Sequence, residues 1–257
     1  MSTLVFHNGS ILTERGFETD ACVLVEDGHI VAVLHGPPPA SGRHIDLHGG
    51  ALVPGFIDVQ VNGGGGVLFN NETSVEALAA IARAHRTFGT TGMLPTLISD
   101  DADVMRRAIA ATHDAIAQGV PGILGIHLEG PYLASARKGT HNANKFRVPD
   151  ADDIAMATAL DNGVTVITLA PECVPTHGIA AMVERGAIVC TGHTAADYAQ
   201  TRAGLEAGIT GFTHLFNAMT PMQGREPGVV GAALDDANSW VGVIVDGVHV
   251  HPASLRV

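Results

Sequence analysis

The sequence predicts an α/β fold, a TIM-like (β/α)8 barrel preceded by a small β-segment, and three observations lead there. From Pro54 onward, short apolar runs alternate with Ala-rich amphipathic ones, the pattern of a parallel sheet covered by helices. The polar residues Gln60, Glu129, His193, His214 and Asp246 fall at the carboxyl ends of the apolar runs, on the rim where such barrels build their sites. A chain of 257 residues, 46% hydrophobic, has the size of one barrel domain with a large core. A doubly wound open sheet is the rival, but it gathers its ligand at one switch point instead of around a rim.

Residues 1–53 read as a separate β-domain. Runs 4–12, 21–26 and 30–34 are β-rich, and Glu26-Asp-Gly-His29 is the hairpin turn between the last two. The connector Gly36-Pro-Pro-Pro-Ala-Ser-Gly42 cannot join a sheet interior. His7, His29, His35, His44 and His48 lie in turns or at strand edges and read as solvated. Residues 54–257 form the barrel domain. Strands are expected at 55–61, 93–98, 123–128, 164–169, 187–190, 210–214 and 240–245. Helices are expected at 74–88 behind a Thr73 cap, from Asp100-Asp101 to 118, and at 150–160, 178–184 and 195–207. Residues 130–148 form a long polar loop, 63–66 a mobile loop, and the stretch after His214 reads as irregular. His85 and His113, within helices, read as solvated or satisfied.

That makes seven barrel strands, with Val257 following soon after the seventh. A seven-stranded ring leaves two edges unpaired, a loss of about five ladder hydrogen bonds at about 1 kcal/mol each. The expectation is therefore a barrel whose eighth strand is missing, cut short at its carboxyl end.

Composition narrows the partners. A net charge of −12 leaves no basic stripe for phosphate backbones, which excludes nucleic acid. Cys22, Cys173 and Cys190 are scattered and suit free thiols in a reducing compartment. No apolar run approaches the roughly 18 residues of a membrane span, and no basic-then-hydrophobic leader opens the chain. A cytoplasmic protein acting on a small molecule is expected.

The chemistry centres on Gly125-Ile-His-Leu-Glu-Gly-Pro-Tyr132, Val189-Cys-Thr-Gly-His193 and Gly211-Phe-Thr-His214. Each is a β-rich run that stops at a side chain able to ligate a metal. His127 and Glu129 are two apart on one strand and share a face, the lumen of a barrel. Glu129, His193 and His214 make a one-carboxylate, two-imidazole shell with open coordination positions. Gly63-Gly-Gly-Gly66 lacks the strand-to-helix context of a phosphate loop.

Six motifs in order resemble the N-acetylglucosamine-6-phosphate deacetylase family of the amidohydrolase superfamily. They are Val53-Pro-Gly-Phe-Ile-Asp-Val-Gln-Val-Asn-Gly63, His127-Leu-Glu-Gly-Pro131, Lys138-Gly-Thr-His-Asn142, Thr191-Gly-His193, Thr213-His-Leu-Phe-Asn-Ala-Met219 and Asp246-Gly-Val-His-Val250. The resemblance implies a metal-dependent hydrolase barrel, with residues 1–53 forming one half of a small β-sandwich. It implies Glu129, His193 and His214 as ligands of one divalent ion, zinc first, with Fe2+, Co2+ or Mn2+ as alternatives. Gln60 is a neighbour of that site. His141 is the group that binds and polarises the acetamide. Thr140, Asn217, Ala218, Arg225 and His249 are implied as sugar-phosphate contacts, Arg225 acting across a homodimer interface.

Two departures stand out. Asp58 and Gln60 replace the His-x-His pair of two-metal members, and the fourth strand, ending Thr168-Leu-Ala-Pro-Glu172, offers no bridging lysine. One metal is expected. The family's general-base aspartate ends the eighth strand, beyond Val257, and Asp246 does not substitute for it. Acid–base assistance is commonly worth about 10²–10⁴-fold, so weak catalysis is expected. The expected reaction is deacetylation of N-acetylglucosamine 6-phosphate to glucosamine 6-phosphate and acetate. The alternatives are cyclic-amide hydrolysis or base deamination, or an inactive fragment that binds metal or sugar phosphate.

Overall fold

The computed structural model describes residues 3–257 and divides into two compact units, Met1–Gly55 and Phe56–Val257. The first unit is all β. Strands β1 (Thr3–His7), β4 (Ala21–Glu26), β5 (His29–His35) and β6 (Arg43–Asp46) form a sheet in the order β5-β4-β1-β6. Strands β2 (Ser10–Thr13), β3 (Gly16–Glu18) and β7 (Ala51–Leu52) form another, in the order β3-β2-β7. The expected single run 4–12 is thus two strands, because Asn8 turns the chain in the left-handed region at φ 58°. Asp27 and Gly28, both at positive φ, make the β4–β5 turn that the sequence announces. Ile11, Ala21 and Val23 are the small core, packed by Phe6, Val25, Leu47 and Leu52.

The second unit is a parallel α/β sheet. Its strands are β8 (Phe56–Val61), β11 (Thr90–Ile98), β12 (Gly125–Glu129), β13 (Val164–Leu169), β14 (Ile188–Thr191), β15 (Gly211–Phe212) and β16 (Trp240–Val241). They pair in sequence order, every neighbour parallel, with β8 and β16 at the edges. Helices α1 (Val75–Arg86), α2 (Ala102–Ala117), α3 (Ala151–Ala157), α4 (Thr176–Glu184) and α5 (Tyr198–Glu206) follow β8 and β11 to β14 in turn. Each helix lays an apolar stripe on the sheet; in α1 the stripe is Ala77, Leu78, Ile81 and Ala82. The sheet curls strongly. In a flat sheet β12 and β15 would lie about 14 Å apart, yet their terminal side chains Glu129 and His214 meet at 3.1 Å. It is a seven-stranded partial barrel with Ile126, Leu128, Ile167, Leu169 and Val189 in its core.

Several boundaries differ from the expectations. The cap of α1 is Ser74, whose hydroxyl accepts the Ala77 N–H, and not Thr73. Residues 63–66 belong to a hairpin, β9 (Gly63–Gly64) with β10 (Val67–Leu68), because Gly63 lets the two backbones close. The stretch after His214 contains a helix, α6 (Gly228–Asp235), with six of its eight residues buried. A helix apolar on every side shows no amphipathic period to read. Strand β16 ends at Val241, since it has a neighbour on one side only and Val245 stands 71% exposed. A short helix, α7 (Pro252–Leu255), follows. No described helix is long and apolar enough to cross a membrane, and the three cysteines are free.

Candidate metal centre and active-site cleft

Glu129 is the last residue of β12, and His193 and His214 each lie two residues past the ends of β14 and β15. Both histidines occupy the left-handed region, at φ 46° and 38°. Such backbone is costly for a side chain and is found where a site over-determines it. Glu172 fixes the turn after His193 by accepting the Thr194 hydroxyl at 2.6 Å and the Ala195 N–H. All three side chains are buried, and their donor atoms converge: Glu129 Oε1 lies 3.1 Å from the Nε2 of each histidine, and the two Nε2 atoms are 3.0 Å apart.

The proton inventory tests whether these residues suit a cation. His193 Nδ1 donates to the Arg137 carbonyl at 2.8 Å, so its Nε2 presents a lone pair. That lone pair faces a carboxylate oxygen, also an acceptor. Two acceptors at 3.1 Å repel unless positive charge lies between them. Ligands at about 2.0–2.1 Å from a tetrahedral ion stand about 3.3 Å apart, close to the spacing found. The trio therefore fits a divalent cation. His214 Nδ1 is buried with no protein partner.

His141 approaches from the 130–148 loop, its Nε2 3.9 Å from Glu129 Oε2. Its Nδ1 accepts from the Ser99 backbone N–H at 3.3 Å and from the Ser99 hydroxyl at 2.8 Å. The remaining proton sits on Nε2 and points into the site. Burial pushes this imidazole down to about 4, so it is neutral near pH 7. The loop is anchored by Arg147, paired with Asp153 at 2.7 Å and stacked over Tyr132, and by Lys145 on Asp101. His127, two residues before Glu129, is likewise buried and pushed down to about 4 by burial.

Glu129, His141, His193 and His214 line a cleft of about 630 Å³ together with Gln60, Asn62, Thr140, Asn217, Ala218 and His249. The cleft thus gathers the three expected ligands, Gln60, His141 and four of the five expected substrate contacts. Arg225 is exposed on the 221–226 loop and lies outside the lining. His249 Nδ1 is bonded to Asp246 at 2.6 Å. Ser99, Glu172 and the Arg137 carbonyl were not singled out from sequence. Ser99 immediately follows β11, on the rim where Glu129 ends β12, and that position was its available signal.

A parallel partial barrel carrying a buried carboxylate–imidazole trio at its strand ends has the architecture of a metal-dependent hydrolase. The chain belongs to the amidohydrolase family, whose model matches residues 51–257, and the relatives and solved structures it resembles include amino-sugar 6-phosphate deacetylases. The N-acetylgalactosamine-6-phosphate deacetylase of Shewanella sp. (strain ANA-3) is 43% identical over 254 residues, 98% of this chain and 64% of that protein. The N-acetylglucosamine-6-phosphate deacetylase of Haemophilus influenzae is 37% identical, over 97% of this chain and 66% of that one. The chain thus spans about two thirds of the length of these relatives. Among solved structures, the N-acetylglucosamine-6-phosphate deacetylase of Pasteurella multocida superposes with a TM-score of 0.95 at 36% identity, covering 99% of this chain and 67% of its own. A mutant of the Mycobacterium smegmatis enzyme in complex with N-acetyl-D-glucosamine-6-phosphate gives 0.91 at 35% identity, covering 100% and 67%.

Proposed function

We propose that the chain carries the metal-dependent site that deacetylates N-acetylglucosamine 6-phosphate, giving glucosamine 6-phosphate and acetate. The observation that carries this reading is the convergence of Glu129, His193 and His214 in one cleft with the Nε2–H of His141. When bound, a divalent cation supplies Lewis-acid polarisation of the amide carbonyl and acidifies water. Zinc is our first expectation, with Fe2+, Co2+ and Mn2+ the alternatives for this donor set. His141 Nε2–H donates to the carbonyl oxygen as negative charge grows there. Gln60, on the cleft wall, would neighbour the ion, and Thr140, Asn217, Ala218 and His249 would orient the sugar phosphate. Arg225 serves the phosphate of a neighbouring protomer in a homodimer. A cytoplasmic setting suits the three free thiols.

Apart from Glu129, no carboxylate among the described residues lines the cleft. Asp246 is spent on the backbone N–H groups of His249 and Val248 and on the His249 ring, which hold it down to about 2. A second reading, N-acetylgalactosamine 6-phosphate as the substrate, is favoured by the 43% identity to the Shewanella enzyme. The two sugars differ only at C4, so one experiment serves both. The metal-loaded chain is incubated with each 6-phosphate and acetate is assayed. Release from either, abolished in Glu129→Gln, is expected. No release from both, with metal demonstrably bound, refutes the assignment.

A further inference from the structure

Beneath the three ligands runs a second polar layer that takes no direct part in the reaction. Thr96 of β11, His127 of β12, Thr168 of β13 and Thr213, just past β15, are 0%, 2%, 0% and 5% exposed. Their side chains form one hydrogen-bonded chain across the interior. Thr96 Oγ1 lies 3.2 Å from His127 Nδ1, His127 Nε2 lies 2.7 Å from Thr168 Oγ1, and Thr168 Oγ1 lies 2.6 Å from Thr213 Oγ1. The Thr96 end sets the direction of the protons. Thr96 accepts the Val61 N–H of β8 at 3.0 Å and gives its own hydrogen to the Leu94 carbonyl at 3.3 Å. Its second lone pair then accepts His127 Nδ1–H. That leaves His127 Nε2 to accept from Thr168, and Thr168 to accept from Thr213.

This chain abuts each ligand. His127 shares a strand face with Glu129, and Thr213 immediately precedes His214. Gly192 immediately precedes His193, and a Cβ there would stand 2.6 Å from Thr168 Cγ2 and 3.1 Å from Thr213 Cβ. A layer that served packing alone would be apolar, since each buried hydroxyl or imidazole costs desolvation unless it is bonded.

We propose that Thr96, His127, Thr168 and Thr213 are positioning residues that set the 3.0–3.1 Å spacing of the Glu129, His193 and His214 donor atoms, and through it the affinity for the cation. The inference rests on reading that trio as metal ligands.

Thr168→Val keeps the side-chain shape and leaves His127 Nε2 and the Thr213 hydroxyl without their partner. Zn2+ affinity is measured by chelator competition, the Co2+ absorption spectrum is recorded, and the melting temperature of the metal-free chain is followed in parallel. The expected result is zinc binding about 10–100-fold weaker in Thr168→Val, the range seen when outer-shell partners are lost. A shifted cobalt spectrum should accompany it, and Thr168→Ser should restore both. Unchanged affinity in Thr168→Val, even with a lowered melting temperature, overturns the positioning role, as does failure of the serine to restore it. Zinc binding absent from the wild-type chain would remove the ligand assignment itself and this inference with it. Should Thr168→Val not fold, ¹⁵N imidazole spectra of the wild-type chain decide. A single Nδ1–H tautomer at His127 supports the chain, and an Nε2–H or averaged ring overturns it.

Discussion

At His141 two donors from Ser99, a backbone N–H and a hydroxyl, meet on Nδ1 and leave the ring's one proton on the side that faces Glu129. The ring is thereby a fixed donor and not a base. His141→Asn should lower kcat by about 10²–10³-fold, the usual loss for a preorganised oxyanion donor, while zinc content stays unchanged; acetate release and metal analysis on one preparation check both. Burial also ties this ring to stability. His141 and His127 titrate near 4 when folded and near 6.5 when unfolded, so as pH falls the unfolded chain binds these protons first. Their neutral state gives full stability above about pH 6.5, and that stability is lost as pH falls toward 4. Melting temperatures of the metal-free chain between pH 7 and 4.5 should show this slope, shallower by up to one proton in His141→Asn. Ser99 escaped the sequence because a serine after a strand is what many loops begin with. Glu129, His193 and His214 were legible because a metal-competent side chain ends each β-rich run.

Across the elements, the parallel order β8-β11-β12-β13-β14-β15-β16 follows from the alternation of periods 2 and 3.6, which is plain from Pro54 to Ala207. Strand 164–169 was read to the residue, being a β-branched run bounded by Gly163 and Pro171. Helix α6 was not legible. Gly228-Val-Val-Gly231 has poor helix propensity and no polar face, and only burial against Phe212, Leu215 and Met219 explains its formation. The curl was legible only through the polar residues that end the strands and mark a rim; how tightly the sheet closes arises from side-chain packing between strands remote in sequence. Gly125, which opens β12, marks how tight that packing is: a Cβ there would stand 1.9 Å from the Val164 carbonyl oxygen. Gly125→Ala should therefore destabilise the chain by at least the about 1–3 kcal/mol typical of overpacking. The denaturant midpoint checks this.

On the scale of the whole molecule, the barrel unit brings the proposed ligands and the His141 donor into one cleft, where Glu129 is the only lining carboxylate among the described residues. In the proposed site a carboxylate and two imidazoles from three strand ends share one cation. Metal-to-protein stoichiometry after equilibrium dialysis against zinc tests it most directly. One zinc per chain is expected, lost in Glu129→Gln and His214→Ala; no zinc in the folded wild-type chain, or two, would overturn the shared-cation arrangement.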